Sequence, residues 1–176
     1  GLYHNYLNKI QEETISKETT LEAWGSKMFD GRNYGIVINK AETINESLTS
    51  KFTSLSCFLG EIKNPLVFEL DLALFIGNYG YTPFGIHQDG YNQSVIHFHI
   101  GPNPKIMYVW EPEIYLENGG QAGNNFNIEE MLPYAQKYEL LPNSVFFPPK
   151  KNYHIGYTKD FSIGCTIGLF ESNKKV

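Results

Sequence analysis

"TPFGIHQDGYNQSVIHFHIGPNPKIMYVWEP", residues Thr82 to Pro112, decides how this chain is read. Inside it, "SVIHFHI" and "KIMYVWEP" are rich in β-branched and aromatic residues and read as two strands. The Gly and Pro residues of "GPNP" between them mark a turn. The stretch also holds His87, His97 and His99, three of the chain's five histidines, with Asp89 two residues after the first. Residues i and i+2 of an extended chain project to one side, so His87 and Asp89 share a face, as do His97 and His99. "HQDG" ends in Asp-Gly, however, so on its own the pair also reads as an ordinary turn.

Working outward, "PLVFELDLALFIGNYG" alternates Val67, Glu69, Asp71 and Ala73 against Phe68, Leu70, Leu72 and Leu74, a strand pattern. Downstream, "SVFFPP" and "FSIGCTIGLF" supply two more strands, "GGQAGNN" a loop, and "NIEEMLPYAQKY" a short helix interrupted at Pro133. Upstream, Tyr6 to Lys27 is a polar helical lead-in with scattered Leu7, Ile10, Ile15, Leu21 and Trp24, followed by the β-rich run "YGIVINK". Ile44, Leu48, Phe52, Leu55 and Leu59 then recur at helical spacing, with Gly60 as a stop. A single domain over 1–176 is expected, with 1–62 as helical support and 63–176 as a strand-rich core. Mostly antiparallel strands with one short helical insertion make a sandwich or barrel.

The bulk numbers agree. Of the 176 residues, 41% are hydrophobic and 19% charged, and twelve Tyr and twelve Phe favour pleated surfaces. A net charge of -5 and a single arginine, Arg32, leave no basic face for a nucleic acid. No run approaches about 18 apolar residues, so no membrane span is expected. Cys57 and Cys165 fit neither a metal spacing nor a disulfide framework and are expected to be buried thiols of a cytoplasmic protein. The chain opens on Gly1 and not on Met, without a signal-peptide pattern, and a trimmed piece is one reading of that start.

The metal question turns on a third ligand. Two imidazoles and one carboxylate on one face hold non-haem iron(II) and leave positions open. His154 closes "LLPNSVFFPPKKNYH", where an apolar strand and a double proline lead into the histidine. With His87 and Asp89, this pattern resembles the jumonji-type (JmjC) branch of the cupin-fold oxygenases, over roughly Leu66 to Phe170. The resemblance implies a double-stranded β-helix (cupin, or jelly-roll) core. It implies iron(II) on His87, Asp89 and His154, 2-oxoglutarate as cosubstrate, and hydroxylation of an unactivated C–H bond. Asn143 and Ser144 stand where the branch usually has Gly-Asp before the distal strand; Asn accepts the left-handed backbone that Gly would supply.

Other 2-oxoglutarate oxygenases anchor the far carboxylate with an arginine shortly after the last histidine; here that place falls at Gly164. The jumonji-type branch takes a lysine from the next strand, matched by Lys105, which also reads as a solvated lysine beside a turn. Thr82, Ser94 and Thr166 are candidate hydroxyl contacts to the same cosubstrate, or structural hydroxyls. Many cupins bind metal through a His-x-His on one strand and a following Glu; after His99 that Glu is missing, so His97 and His99 are expected to line the interior or pack. Trp110 and Tyr79, Tyr81, Tyr91 and Tyr153 are candidates for pocket walls or packing, and Glu129 and Glu130 for a solvated face. The substrate expected is an amino acid, a peptide or a small biosynthetic intermediate, and a homodimer is allowed. The alternatives are a metal-binding cupin without 2-oxoglutarate, such as an isomerase or another dioxygenase, and a catalytically silent binding module.

Overall fold

Residues 2–13, 16–62 and 68–171 are described by the structure, a computed structural model. Ile15, Leu66 and Val67, which entered the sequence patterns, lie outside them. In chain order come α1 (Leu2–Glu12), α2 (Leu21–Met28), β1 (Gly35–Ile38) and α3 (Glu46–Ile62). β2 (Phe68–Gly77), β3 (Gly80–Tyr81), β4 (Gln93–Pro102) and β5 (Lys105–Trp110) follow. Then come α4 (Pro112–Glu117), α5 (Ile128–Met131), β6 (Gln136–Leu140), β7 (Ser144–Phe146), β8 (Tyr153–Thr158) and β9 (Ser162–Glu171).

The strands form two antiparallel sheets, ordered β1-β2-β9-β4-β7 and β3-β8-β5-β6. The register of β2, β9 and β4 lines up two sets of side chains. Leu72, Ile167 and Ile96 form a row on one face, and Ala73, Thr166 and His97 one on the other. The first face packs under α3: Leu48, Phe52 and Leu55 of the helix cover Ala41, Leu72 and Ile167. Asn45 starts that helix, its side-chain oxygen accepting from the Leu48 N–H at 2.9 Å. The other face looks across a cavity at the second sheet, with Val95, His97 and Thr166 opposite Lys105, Met107, His154 and Gly156.

Behind the second sheet, a separate core of Ile86, Trp110, Tyr115, Met131, Tyr153 and Ile155 fixes the strands that carry the site. Trp110 donates its indole N–H to the Met131 carbonyl at 2.8 Å, so even its polar atom is satisfied. The expected jelly-roll of mainly antiparallel strands is therefore the architecture found, with β1 added to its edge from the N-terminal third.

Several local expectations need correction. Gln136 to Tyr138 belong to β6 and do not continue the helix: after Met131 the chain makes one 3-10 turn, Leu132–Tyr134, with Pro133 inside it, and then pairs with β5. Cys57 is exposed, on the side of α3 away from the sheet, and Cys165 is half-buried, so neither is the fully buried thiol expected. α4 was not foreseen: Pro112 reads as the end of a strand but occupies the first turn of a helix, where its missing N–H costs nothing. No described helix is long and apolar enough to cross a membrane.

Candidate metal centre

Residues 82–89 run beside β8 and are threaded to it by backbone hydrogen bonds. Thr82 N–H donates to the Gly156 carbonyl at 2.9 Å, and His87 and His154 exchange both their N–H···O bonds, at 3.1 and 2.8 Å. Ile86, fully buried, anchors the segment in the core behind the sheet. Alternation then turns His87 and Asp89 the opposite way, into the cavity, and the same alternation in β8 buries Tyr153 and Ile155 while presenting His154. Gly85 makes the approach possible. Its φ is +70°, and a Cβ there would lie 2.5 Å from the Asn125 carbonyl oxygen, whose partner is the Ile86 N–H.

His87, Asp89 and His154 each bring one ligand atom to a common place, all within 4.8 Å of one another. The His154 Nε2 stands 3.8 Å from Asp89 Oδ2, and the two imidazole rings are 4.5 Å apart between centroids. Each ring turns its Nδ1 to the carbonyl two residues back, His87 to Gly85 at 3.0 Å and His154 to Asn152 at 3.4 Å. A carbonyl can only accept, so Nδ1–H donates and Nε2 is the nitrogen each ring leaves for a metal. Burial pushes His154 below its ordinary range against the pull of the Asp89 carboxylate, with the His87 and Lys105 charges pushing the same way as burial. The imidazole is therefore neutral, the form a metal requires.

Lys105 lies in the same cavity, 3% exposed. Its Nζ donates to the Tyr79 hydroxyl at 3.3 Å and stands 5.4 Å from the Phe75 ring centre. No carboxylate pairs with it among the described residues. Burial alone drives its pKa down from 10.5 to about 7. Two buried polar atoms of cavity-lining residues lack hydrogen-bond partners: Thr82 Oγ1, and the Nε2 of His97, whose Nδ1 meets Thr166 Oγ1 at 2.9 Å.

Thus the structure brings His87, Asp89, His154, Lys105, Thr82 and Thr166 to one cavity of about 90 Å³. It does not bring Ser94. That residue pairs with Leu169 on the α3 side of the sheet, one step out of phase with Val95 and His97. His97 and His99 share a face as expected but have different jobs. His99 turns its Nε2 to the Asn103 carbonyl at 2.7 Å and ties the β4–β5 turn, so the pair is not a His-x-His ligand set. Asn143 adopts the left-handed conformation, φ 68°, that the turn before the distal strand requires.

Of the aromatic candidates, Trp110 and Tyr153 are core, Tyr81 donates to Glu129 at 3.2 Å on the outer side, and Tyr91 is exposed. Sequence reasoning missed the free nitrogen of His97 and the apolar wall of Phe75, Phe84 and Pro148. Phe84, which sets its ring edge-on to His87 at 5.9 Å, carried a signal in lying three residues before the histidine. A larger, open cleft of about 480 Å³ lies between α2 and the strand turns, beside Arg32 and Asp160, away from the three ligand residues.

Two imidazoles, one carboxylate and a facing buried lysine suit a divalent metal with an anionic chelator. No protein-family model matches the chain, and no curated protein matches it in sequence. Among solved structures it is similar to YcfD, a ribosomal oxygenase from Escherichia coli, in complex with cobalt and 2-oxoglutarate. Identity there is 15% and the TM-score 0.55, over 92% of this chain and 36% of that one. Another structure of the E. coli ribosomal oxygenase YcfD gives 15% and 0.50, over 80% of this chain and 32% of that one. An X-ray structure of E. coli YcfD gives 16% and 0.50, over 80% and 34%. This chain spans about a third of the length of those proteins. At such identity the likeness shows the fold, and it is the one that the jumonji-type resemblance implied.

Proposed function

We propose that the protein is an iron(II)- and 2-oxoglutarate-dependent oxygenase that hydroxylates an unactivated C–H bond of an amino acid, a peptide or a small biosynthetic intermediate. One observation carries this reading: a buried lysine without a counter-ion faces the same cavity as the His87, Asp89 and His154 group. A metal site alone has no use for such a lysine, and a structural lysine would find a carboxylate or reach water.

In this reading His87, Asp89 and His154 hold iron(II), and Lys105 pairs with the far carboxylate of 2-oxoglutarate. When bound, the metal and cosubstrate together supply the oxidising power that protein side chains lack. The chain's own work is positional. The His87–His154 backbone bridge fixes two ligands relative to each other, and the carbonyls of Gly85 and Asn152 set their tautomers. Phe84, Val95 and Pro148 keep water from the metal side of the cavity.

Anaerobic titration tests it. Adding iron(II) and then 2-oxoglutarate is expected to give a weak visible charge-transfer band, and amino-acid and peptide pools are expected to raise succinate release in air. A band that survives unchanged in Lys105→Ala would point to a metal-binding cupin that does not use 2-oxoglutarate. Absence of any band, with an unmoved melting temperature, would leave a silent binding module.

A further inference from the structure

We propose that His97 is a second anchor for the remote carboxylate of a dicarboxylic 2-oxo acid, donating from Nε2 across the cavity from Lys105. The inference rests on the reading above and assigns a residue that reading does not use.

His97 is 4% exposed, on the inner face of β4, and its Nε2 is buried without a hydrogen-bond partner. An orphaned ring nitrogen in a closed site is costly unless something else satisfies it. The other nitrogen is spoken for by the Thr166 hydroxyl at 2.9 Å. With that hydroxyl donating to Nδ1, the neutral ring carries its proton on Nε2 and offers it to the cavity. Burial first, and the Lys105 ammonium second, hold the ring neutral.

Glycines make room for both groups. A Cβ on Gly164 would stand 2.7 Å from His97 Cε1, 3.0 Å from His97 Nε2 and 3.7 Å from Lys105 Nζ. On the facing strand, a Cβ on Gly156 would stand 2.8 Å from Lys105 Cε and 3.2 Å from its Nζ. Neither glycine is among those with positive φ, so backbone strain does not explain them. Their missing side chains seat the lysine stem and the imidazole, with His97 Nε2 and Lys105 Nζ both within 3.7 Å of one point, and two such donors suit the two oxygens of one carboxylate.

Calorimetric titration of the Co(II)-loaded full chain tests this, comparing 2-oxoglutarate with 2-oxobutyrate, which has no second carboxylate. His97→Leu is expected to weaken 2-oxoglutarate about 10- to 100-fold and to leave Co(II) and 2-oxobutyrate affinity unchanged. His97→Gln, whose amide can also donate, should recover most of the loss. Gly164→Ala, whose Cβ would press on the His97 ring and displace it while leaving the residue in place, should reproduce the selective loss if the Leu variant fails to fold. Equal 2-oxoglutarate binding by parent and His97→Leu would overturn the second anchor alone, as would equal loss of both acids. A parent that binds Co(II) but no 2-oxoglutarate would overturn the proposed function and the anchor with it.

Discussion

At the scale of single residues, the energetics of Lys105 are the most exposed to test. Its folded pKa of about 7 lies below the ordinary 10.5, so the folded chain resists protonating it and the unfolded chain does not. Between those two values the unfolded state holds more protons, and stability therefore rises with pH. Below pH 7 the full penalty is present. Lys105→Met is accordingly expected to melt higher than the parent at pH 6, with an advantage that fades by about 1.4 kcal/mol per pH unit toward pH 10. Thermal melts of both proteins without ligand, across that range, check it; a difference with no pH slope would mean the ammonium is solvated or paired. The sequence named this lysine because a family pattern did, and it could not show that the ammonium lacks an anion. It named Ser94 wrongly for a plainer reason: the strand parity that makes His97 face inward turns Ser94 outward.

At the scale of elements, the ligands sit on two short segments whose legibility differed. The His87–Asp89 pair was readable because spacing alone puts both on one side. β8, which carries His154, was not read as a strand. Tyr153 and Ile155 are buried in the core and His154 and Gly156 line the cavity, so no polar-apolar alternation marks it. β6 was misread for the opposite cause, since four of its five residues are exposed and only Leu140 is buried. What joins the two ligand segments is Gly85, and Gly85→Ala should separate them. A side chain there meets both a positive φ and the Asn125 carbonyl. The expected result is a stability loss of about 1–3 kcal/mol together with weaker Co(II) binding, because the His87–His154 bridge lies only two residues on. Denaturant melts and Co(II) titration measure the two effects; a variant that loses stability but keeps full Co(II) affinity would show that the bridge does not set the site.

At the scale of the molecule, the apolar cores lie on the outer faces of the two sheets and the polar groups lie between the sheets. The α3 side and the Trp110 side each have a continuous core, while the space between the sheets holds His97, Lys105, His154, Thr82 and Thr166. The overall architecture was legible because the outer faces follow ordinary amphipathic rules; the interior was not, since buried polar residues obey the ligand instead of the solvent. A fold of this kind should gain more from its ligands than from any single core substitution. Co(II) with 2-oxoglutarate at about a hundred times its dissociation constant is expected to stabilise the chain by about 2.7 kcal/mol over Co(II) alone. 2-Oxoglutarate without metal should give much less, because Lys105 then holds only one end of it. At a fixed 2-oxoglutarate concentration the gain should shrink as pH rises from 7 to 9, since binding must return a proton to a lysine that the empty site gives up above about pH 7. Calorimetry at pH 8 in two buffers of different ionisation enthalpy reads that proton directly. Uptake near one proton in the parent and none in Lys105→Met is the expected pair of results, and equal uptake in both would remove Lys105 from the site.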